Sequence, residues 1–132
     1  MLKVLVVEDN SLAARMVYTF FRKAAPDTQV DMVETGFDAK SKIAEVESGY
    51  DIIMMDFGLP DCNGVNLTRE LRDAGVTSMI VGLSGNLDQF TEEERQAAGL
   101  NHGYRKPFSI SDAEEIIAKY AQYLESGQAN PA

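Results

Sequence analysis

Residues 50–64 read YDIIMMDFGLPDCNG, and this stretch decides the fold. Four apolar residues, 52–55, end abruptly at Asp56, and turn-forming residues follow. A short apolar run bounded by turn residues is typical of a strand buried on both faces. In an open parallel sheet, ligands bind at the carboxyl ends of the strands, so Asp56 is a candidate functional residue. The alternative is that Asp56 only begins a turn, as Asp often does.

Apolar strand-like runs and helix-like spacing alternate along the rest of the chain. The predicted strands are residues 2–7, 30–33, 51–55, 79–83 and 102–105. Each is followed by apolar residues at helical spacing, around residues 13–24, 39–46, 67–74, 91–99 and 113–124. Five successive strand–helix units predict an α/β, doubly wound (βα)5 sandwich with a five-stranded parallel sheet and helices on both faces.

Several local signals refine this outline. Asn10 or Ser11 is expected to cap the first helix, and Ser109 or Ser111 the last. Residues 91–94, TEEE, form a capping-box pattern for the fourth helix. The internal methionines are interpreted as core fillers, at positions 16, 32, 54, 55 and 79.

Length and charge limit the classes of function. With 132 residues, the chain is predicted to form one domain over residues 1–125, with a disordered C-terminal tail at 126–132. Twelve basic and 21 acidic residues give a net charge of −9, which argues against nucleic acid or an anionic membrane as a direct partner. The single cysteine, Cys62, excludes an internal disulfide, and no apolar run approaches the length of a membrane span. A cytoplasmic location is therefore predicted.

Polar residues lie at the ends of four predicted strands and are expected to share one crevice. Glu8 and Asp9 follow the first strand, Asp56 the third, Ser84 the fourth and Lys106 the fifth. Three carboxylates close together favour a hard cation such as Mg²⁺. Asp9, Asp56 and a backbone carbonyl near Gly58 are the expected ligands, with Glu8 acting directly or through water.

The same crevice suits phosphoryl transfer. An ammonium and a hydroxyl beside a carboxylate are the groups that bind the oxygens of a phosphoryl group. Asp56 would be the nucleophile and form an acyl phosphate, while Lys106 and Ser84 hold the phosphoryl oxygens.

This pattern resembles the receiver domain of response regulators, over residues 2 to about 124. The resemblance is carried by Glu8-Asp9 after VLVV, Asp56 within IIMMDFGLP, Pro60, Gly64, Ser84 within VGLSGN, and Lys106-Pro107-Phe108. It implies the flavodoxin-like strand order 2-1-3-4-5. It also implies a Mg²⁺-dependent signalling switch, with Mn²⁺ as a second candidate cofactor, rather than an enzyme with multiple turnovers.

The resemblance further implies partners and residue roles. Asp56 would accept its phosphoryl group from a phosphohistidine of a sensor kinase or a phosphotransfer protein. Ser84 would then reorient, and the surface of the fourth helix, fifth strand and fifth helix would change for a downstream protein target. A monomer or a phosphorylation-promoted dimer is implied. Supporting roles fall to flanking residues that tune hydrolysis, Phe57, Gly58 and Asn86, and to loop residues, Pro60, Gly64 and Pro107, the last after a peptide bond often held in cis.

One position departs from the receiver pattern. The family commonly has Tyr or Phe three residues before the lysine, where this chain has Gly103. Tyr104 is one residue later and is expected on the opposite face of the strand, pointing at the core or at a helix. His102 is interpreted as a partly exposed polar residue rather than a second phosphoacceptor. Residues 84–99 are predicted to be locally mobile, because glycines bracket few apolar anchors.

Three other functions remain open as alternatives. A phosphatase of the haloacid-dehalogenase type also uses Asp, Ser, Lys and Mg²⁺, but it needs a DxD pattern after the first strand, which is absent here. A flavodoxin-type electron carrier needs a phosphate loop where Glu8 and Asp9 would repel phosphate. A degenerate, phosphorylation-independent receiver is disfavoured because the principal residues are present. If the chain is complete its output must be protein contact, and if it is a fragment an output domain would follow it.

Overall fold

The computed structural model describes residues 1–127 as alternating strands and helices. The strands are β1 (Lys3–Val7), β2 (Gln29–Val33), β3 (Ile52–Asp56), β4 (Met79–Ser84) and β5 (His102–Arg105). The helices are α1 (Ser11–Ala24), α2 (Gly36–Glu45), α3 (Gly64–Asp73), α4 (Glu92–Ala98) and α5 (Ile110–Glu125). A 3₁₀ turn, Leu87–Gln89, lies between β4 and α4.

The five strands form one parallel sheet in the order β2-β1-β3-β4-β5. This confirms the fold class and strand order expected from the sequence. Every residue of β3 and β4 is buried, whereas β2 at the edge is half-buried. The register aligns Asp56 with Leu83 and Ser84 with Arg105, so the carboxyl ends of β3, β4 and β5 meet at one edge.

Two apolar cores lie on opposite faces of the sheet, because successive side chains of a strand point to opposite faces. Val4 and Val6 of β1 pack with α1 and α5, whereas Leu5 and Val7 pack with α2, α3 and α4. Phe21 of α1, fully buried, is one of the largest side chains in the first core.

Side-chain caps fix where the helices begin. Asn10 caps α1 by accepting the N–H of Ala13 at 2.9 Å, and Asn63 caps α3 by accepting the N–H of Asn66 at 2.8 Å. Ser109 caps α5 in a capping box with Asp112, so Asn10 and Ser109 are the caps rather than Ser11 and Ser111. The predicted capping box at Thr91 and Glu94 is confirmed.

Two details of the predicted outline are wrong. Met32 is 48% exposed, because it lies on the edge strand β2 and not in the core. Met16 is only half-buried, whereas Met54, Met55 and Met79 are core residues. The 3₁₀ turn Leu87–Gln89 was not predicted.

The end of the described chain follows α5 closely. Ser126 is the C-cap of α5 and donates its hydroxyl to the carbonyl of Tyr123 at 2.7 Å. The disorder predicted for the tail beyond Gly127 lies outside the described residues. Within residues 1–127, no helix is both long enough and apolar enough to cross a membrane.

Candidate functional site

The backbone brings the predicted polar residues to one edge of the sheet. Asp56 and Ser84 are the last residues of β3 and β4, and Lys106 directly follows β5. Glu8 follows β1, and its N–H donates to the carbonyl of Val33 at 3.0 Å, which extends the β1–β2 pairing by one residue. The sheet therefore places these side chains around one crevice.

Three carboxylates converge in this crevice. Glu8, Asp9 and Asp56 each offer an oxygen, and these oxygens lie within 4.8 Å of one another. Glu8 and Asp56 are buried, while Asp9 is exposed and opens the cluster to solvent. Carboxylate oxygens with an open side suit Mg²⁺, which keeps several of its waters when protein-bound. The donor set of these residues thus fits Mg²⁺, and it also suits Mn²⁺.

Lys106 bridges two of these acids. Its Nζ lies 2.5 Å from Oε1 of Glu8 and 3.2 Å from Oδ1 of Asp56. Burial raises the pKa of the Glu8 carboxyl, although the contact with Lys106 works in the opposite direction. Burial alone would lower the pKa of the Lys106 ammonium, but the hydrogen bond that it donates to Glu8 and the charge of Asp56 raise it overall. The site therefore holds a fixed positive charge beside Asp56.

Ser84 is buried and linked to the loop that follows it. Its hydroxyl oxygen accepts the N–H of Asn86 at 3.0 Å. The carbonyl of Ser84 accepts the N–H of Lys106 at 2.9 Å, so β4 and β5 hold Ser84 and Lys106 side by side. Ser84 thus connects the crevice with the loop that leads to α4.

Gly64 packs directly against the backbone of Asp56. A Cβ at this position would lie 2.1 Å from the carbonyl oxygen of Asp56, so no larger residue fits without movement. The N–H of Gly64 donates to the carbonyl of Phe57 at 2.9 Å. The chain therefore folds back between Asp56 and Gly64, and the start of α3 packs against the end of β3, which carries Asp56.

The other predicted loop residues lie in the β3–α3 and β5–α5 loops. Gly58 and Pro60 are exposed, and Gly58 pairs with Asn63 in an isolated antiparallel bridge. The Lys106–Pro107 peptide bond is cis, as the resemblance implied. Phe108 stacks on Phe21 with ring centroids 5.8 Å apart, which anchors the β5–α5 loop in the core.

The three residues expected to tune hydrolysis differ in exposure. Gly58 and Asn86 are exposed. Phe57 is only 3% exposed and meets Phe90 edge-on, with centroids 5.8 Å apart. Its side chain lies in the core, so an influence of Phe57 on the crevice would act through the position of the Asp56 backbone.

Tyr104 faces α5, as expected from the strand alternation. Its hydroxyl donates to Oε1 of Glu115 at 2.5 Å and accepts from Nζ of Lys119 at 3.0 Å. His102 is half-buried, as predicted, and burial together with the charge of Lys119 lowers its pKa. Gly103 presents no side chain to the opposite face.

Two groups near the site were not foreseen from the sequence. The carboxylate of Asp61 accepts the N–H groups of Gly36 and Phe37, at 2.8 and 3.0 Å, and so caps α2 from the β3–α3 loop. Arg95 of α4 reaches back to the 3₁₀ turn, donating from Nη1 to the carbonyl of Leu87 at 2.9 Å. The first contact joins residues 25 positions apart and the second joins residues 8 positions apart, and no local pattern marks either.

Comparisons with known proteins agree with this fold. Residues 4–119 match the family described as the response regulator receiver domain. The two-component response regulator ARR22 of Arabidopsis thaliana is 37% identical over 121 residues, covering 89% of this chain and 82% of that protein. The two-component response regulator ORR41 of Oryza sativa subsp. japonica is 30% identical over 125 residues, covering 91% of this chain and 94% of that protein.

A solved structure agrees over nearly the same length. The CheY-like response regulator receiver domain from Methylobacillus flagellatus superposes with a TM-score of 0.80 at 27% identity. The match covers 91% of this chain and 98% of that one. The likeness therefore extends over most of the chain rather than over one motif.

Proposed function

This chain belongs to the response regulator receiver domain family, and on that premise we propose that Asp56 accepts the phosphoryl group. Receiver domains are phosphoryl-accepting signalling switches of two-component systems. They bind Mg²⁺ in an acidic pocket and interact with sensor kinases or phosphotransfer proteins. The observation that supports Asp56 most strongly is its place between two other carboxylates and the ammonium of Lys106, 3.2 Å away.

The proposed reaction moves one phosphoryl group to Asp56. A carboxylate oxygen of Asp56 attacks the phosphorus of a phosphohistidine on the donor protein. The new P–O bond forms an acyl phosphate, the P–N bond breaks, and the imidazole leaves with the bonding electron pair and takes up a proton. When bound, Mg²⁺ would supply positive charge that offsets the negative charge on the transferring group.

The chain's own residues prepare this step. Glu8, Asp9, Asp56 and the carbonyl of Gly58 would hold the cation. Lys106 carries a positive charge beside Asp56 and would bind a phosphoryl oxygen after transfer. The hydroxyl of Ser84, at the end of the neighbouring strand, would donate to a second phosphoryl oxygen. Burial of Glu8 and Asp56 limits solvent near the acceptor, which strengthens these charge interactions.

The donor and the output partner are also part of the proposal. The donor is the phosphohistidine of a sensor kinase or a phosphotransfer protein. The output is a change in the surface of α4, β5 and α5, which a downstream protein reads. New contacts to the phosphoryl group would shift the population of two conformations of this surface.

Intact mass spectrometry tests the acceptor. The protein is incubated with acetyl phosphate or phosphoramidate, with and without Mg²⁺. We expect the mass of one phosphoryl group to be gained only with Mg²⁺, and to be lost on treatment with hydroxylamine, which cleaves acyl phosphates. Asp56→Asn should gain nothing, while Asp27→Asn, which removes an exposed acid remote from the crevice, should behave as wild type.

Three results would contradict the proposal. A folded wild-type protein without any adduct would indicate a receiver that works without phosphorylation. Continuous release of phosphate from p-nitrophenyl phosphate over many turnovers would indicate a phosphatase of the haloacid-dehalogenase type instead. An adduct that persists in Asp56→Asn would move the acceptor to another residue.

A further inference from the structure

We propose that Leu87, carried by the 3₁₀ turn Leu87–Gln89, transmits the position of Ser84 to α4. The turn lies between the crevice and α4: Asn86, directly before it, bonds to Ser84, and Leu87 bonds to Arg95 of α4. In this proposal Leu87 is a positioning residue, which touches neither the phosphoryl group nor the cation. Its link to phosphorylation rests on the proposed function, whereas its link to Ser84 can be tested without a phosphoryl group.

Leu87 occupies the space that a side chain at position 103 would take. A Cβ built on Gly103 would lie 2.9 Å from Cδ1 of Leu87 and 3.6 Å from Nε of Arg95. Leu87 itself is only 9% exposed and belongs to the core on the α4 side of the sheet. The side chain that covers β5 on this face therefore comes from the turn, and its position depends on where the turn lies.

The first end of the turn is tied to Ser84. Asn86 precedes the turn, and its N–H donates to the hydroxyl oxygen of Ser84 at 3.0 Å. The carbonyl of Asn86 accepts the N–H of Gln89 at 3.2 Å, which closes the turn. If the Ser84 hydroxyl moves toward β3 to bind a phosphoryl oxygen, the N–H of Asn86 either moves with it or loses this hydrogen bond. In both cases Leu87, the next residue, changes position.

The second link joins the turn to α4. Nη1 of Arg95 donates to the carbonyl of Leu87 at 2.9 Å and to the carbonyl of Phe90 at 2.6 Å. Arg95 thus holds both ends of the turn from the middle of α4. Because α4 has only seven residues, one such tie fixes a large part of its position.

Tyr104, which directly follows Gly103 in the sequence, is held on the other face of β5. Its hydroxyl bonds Glu115 and Lys119 of α5, and Nζ of Lys119 also lies 5.1 Å from the centre of its ring. These contacts keep Tyr104 away from Gly103 and the turn. The exposed ion pair of Asp88 with Arg105, at 2.7 Å, ties the turn to β5 only at its solvent-facing rim, where such pairs contribute little.

A double-mutant cycle with Ser84→Ala and Leu87→Ala tests the link between Ser84 and α4. The readout is amide hydrogen exchange at residues 95–98, without any phosphoryl donor. We expect Ser84→Ala alone to change exchange in α4 by about fivefold or more, at the lower end of coupling between linked sites. In the Leu87→Ala background, Ser84→Ala should have almost no further effect.

A control separates this coupling from a general loss of packing. Leu71 is a buried leucine of α3 in the same core, so Leu71→Ala removes a similar side chain without touching the turn. Ser84→Ala should keep its full effect on α4 in that background. Equal effects of Ser84→Ala in the Leu87→Ala and wild-type backgrounds, or no effect in wild type, would overturn the proposal. If Leu87→Ala does not fold, Gly103→Ala displaces Leu87 from the other side and replaces it in the cycle.

A second experiment tests whether the link through Leu87 also operates when the protein is activated. Beryllofluoride with Mg²⁺ serves as the phosphoryl mimic, and intact mass after acetyl phosphate reports phosphorylation separately. Leu87→Ala should still gain one phosphoryl group, but the exchange at residues 95–98 should no longer respond to beryllofluoride. If wild type gains no phosphoryl group, the proposed function fails, while the cycle above still decides the role of Leu87.

Discussion

A single residue without a side chain sets the position of Asp56. Gly64 starts α3 against the carbonyl of Asp56, and a Cβ there would lie 2.1 Å from that oxygen. Gly64→Ala must therefore displace either the end of β3 or the start of α3. We expect a loss of about 1–3 kcal/mol in the free energy of unfolding, as for other overpacked sites, together with slower phosphoryl uptake by Asp56. Urea unfolding and intact mass spectrometry measure the two effects.

The matched control lies in the same loop. A Cβ on Gly58 would meet no atom within 4 Å, so Gly58→Ala should change the free energy of unfolding by less than about 0.5 kcal/mol. Equal losses in the two variants would show that the loop is sensitive to any side chain, and that the contact with the Asp56 backbone is not the cause.

At the scale of elements, Arg72 joins four of them at the edge of the sheet opposite the crevice. The five N–H donors of its guanidinium reach the carbonyls of Val76, Ser78 and Gly99 and the side-chain oxygen of Asn101. These contacts run from the end of α3 to the starts of β4 and β5 and to the end of α4. Arg72→Met leaves half-buried acceptors without these donors, and we expect it to lower the free energy of unfolding by about 2–3 kcal/mol.

Arg69 is the control for this effect, because it lies on the same helix and is exposed. Its one side-chain hydrogen bond within the described chain goes to Asn66, one turn earlier. Arg69→Met should change stability by less than about 0.5 kcal/mol. Chemical denaturation measures the free energy of unfolding of both variants. Similar losses in the two would show that the contacts of Arg72 with the other elements add no stability.

The cap of α2 by Asp61 predicts a dependence of stability on pH. The N–H groups of Gly36 and Phe37 donate to its carboxylate and lower the pKa of Asp61 in the folded protein. A lowered pKa means that the ionised carboxylate stabilises the fold above the unfolded-state pKa of about 3.9, and that this contribution disappears as pH falls through the lower folded-state pKa. Asp61→Asn should therefore be less stable than wild type at neutral pH, with a difference that shrinks below about pH 4.

Thermal unfolding at a series of pH values measures this difference. Asp27→Asn, which removes one exposed negative charge outside the cap, controls for the change in net charge. A constant gap between Asp61→Asn and wild type down to the acid limit would mean that Asp61 acts through its shape and not through its charge.

The sequence predicted most elements because the signals for them are local. Alternating strands and helices, turn residues after Asp56 and a capping box at Thr91 depend only on neighbouring positions. The candidate site was also predictable, because parallel strands deliver their carboxyl ends to one edge, and that rule needs only the strand assignments. Placing Asp56, Ser84 and Lys106 together required no knowledge of side-chain packing.

The features that escaped prediction depend on contacts between distant parts of the chain. Arg72 near the end of a helix has the sequence signature of an exposed residue, yet its partners lie on β4, α4 and β5. The packing of Leu87 against Gly103 depends on the position of the 3₁₀ turn relative to β5, which neither segment specifies by itself. Residues 84–99 were predicted to be mobile for lack of apolar anchors, but Leu87, Phe90 and Arg95 supply anchors that the spacing did not reveal. The mobility itself remains a prediction for amide exchange.

The whole molecule carries a net charge of −9, and the repulsion between acids is strongest at the crevice. Three carboxylates lie close together there beside one lysine. Asp9 is the exposed carboxylate of the three, so removing its charge leaves no buried charge without a partner. Without a cation, Asp9→Asn should relieve repulsion and raise the free energy of unfolding by about 0.5 kcal/mol, as for other exposed charge pairs. With Mg²⁺ at about one hundred times its Kd, wild type should gain about 2.7 kcal/mol, because the cation binds only the folded state.

The sign of the Asp9 effect should therefore reverse with Mg²⁺. Asp9→Asn should be more stable than wild type in a chelating buffer and less stable in Mg²⁺, because it has lost one of the ligands. Thermal unfolding of both proteins across a Mg²⁺ titration measures the crossing, and Asp27→Asn should keep the full Mg²⁺ gain. If Asp9→Asn kept that gain as well, Asp9 would be outside the cation site, and the crevice would have to hold Mg²⁺ through Glu8, Asp56 and the carbonyl of Gly58. Such a result would also predict weaker binding at acid pH, because burial raises the pKa of Glu8 and favours its protonated form.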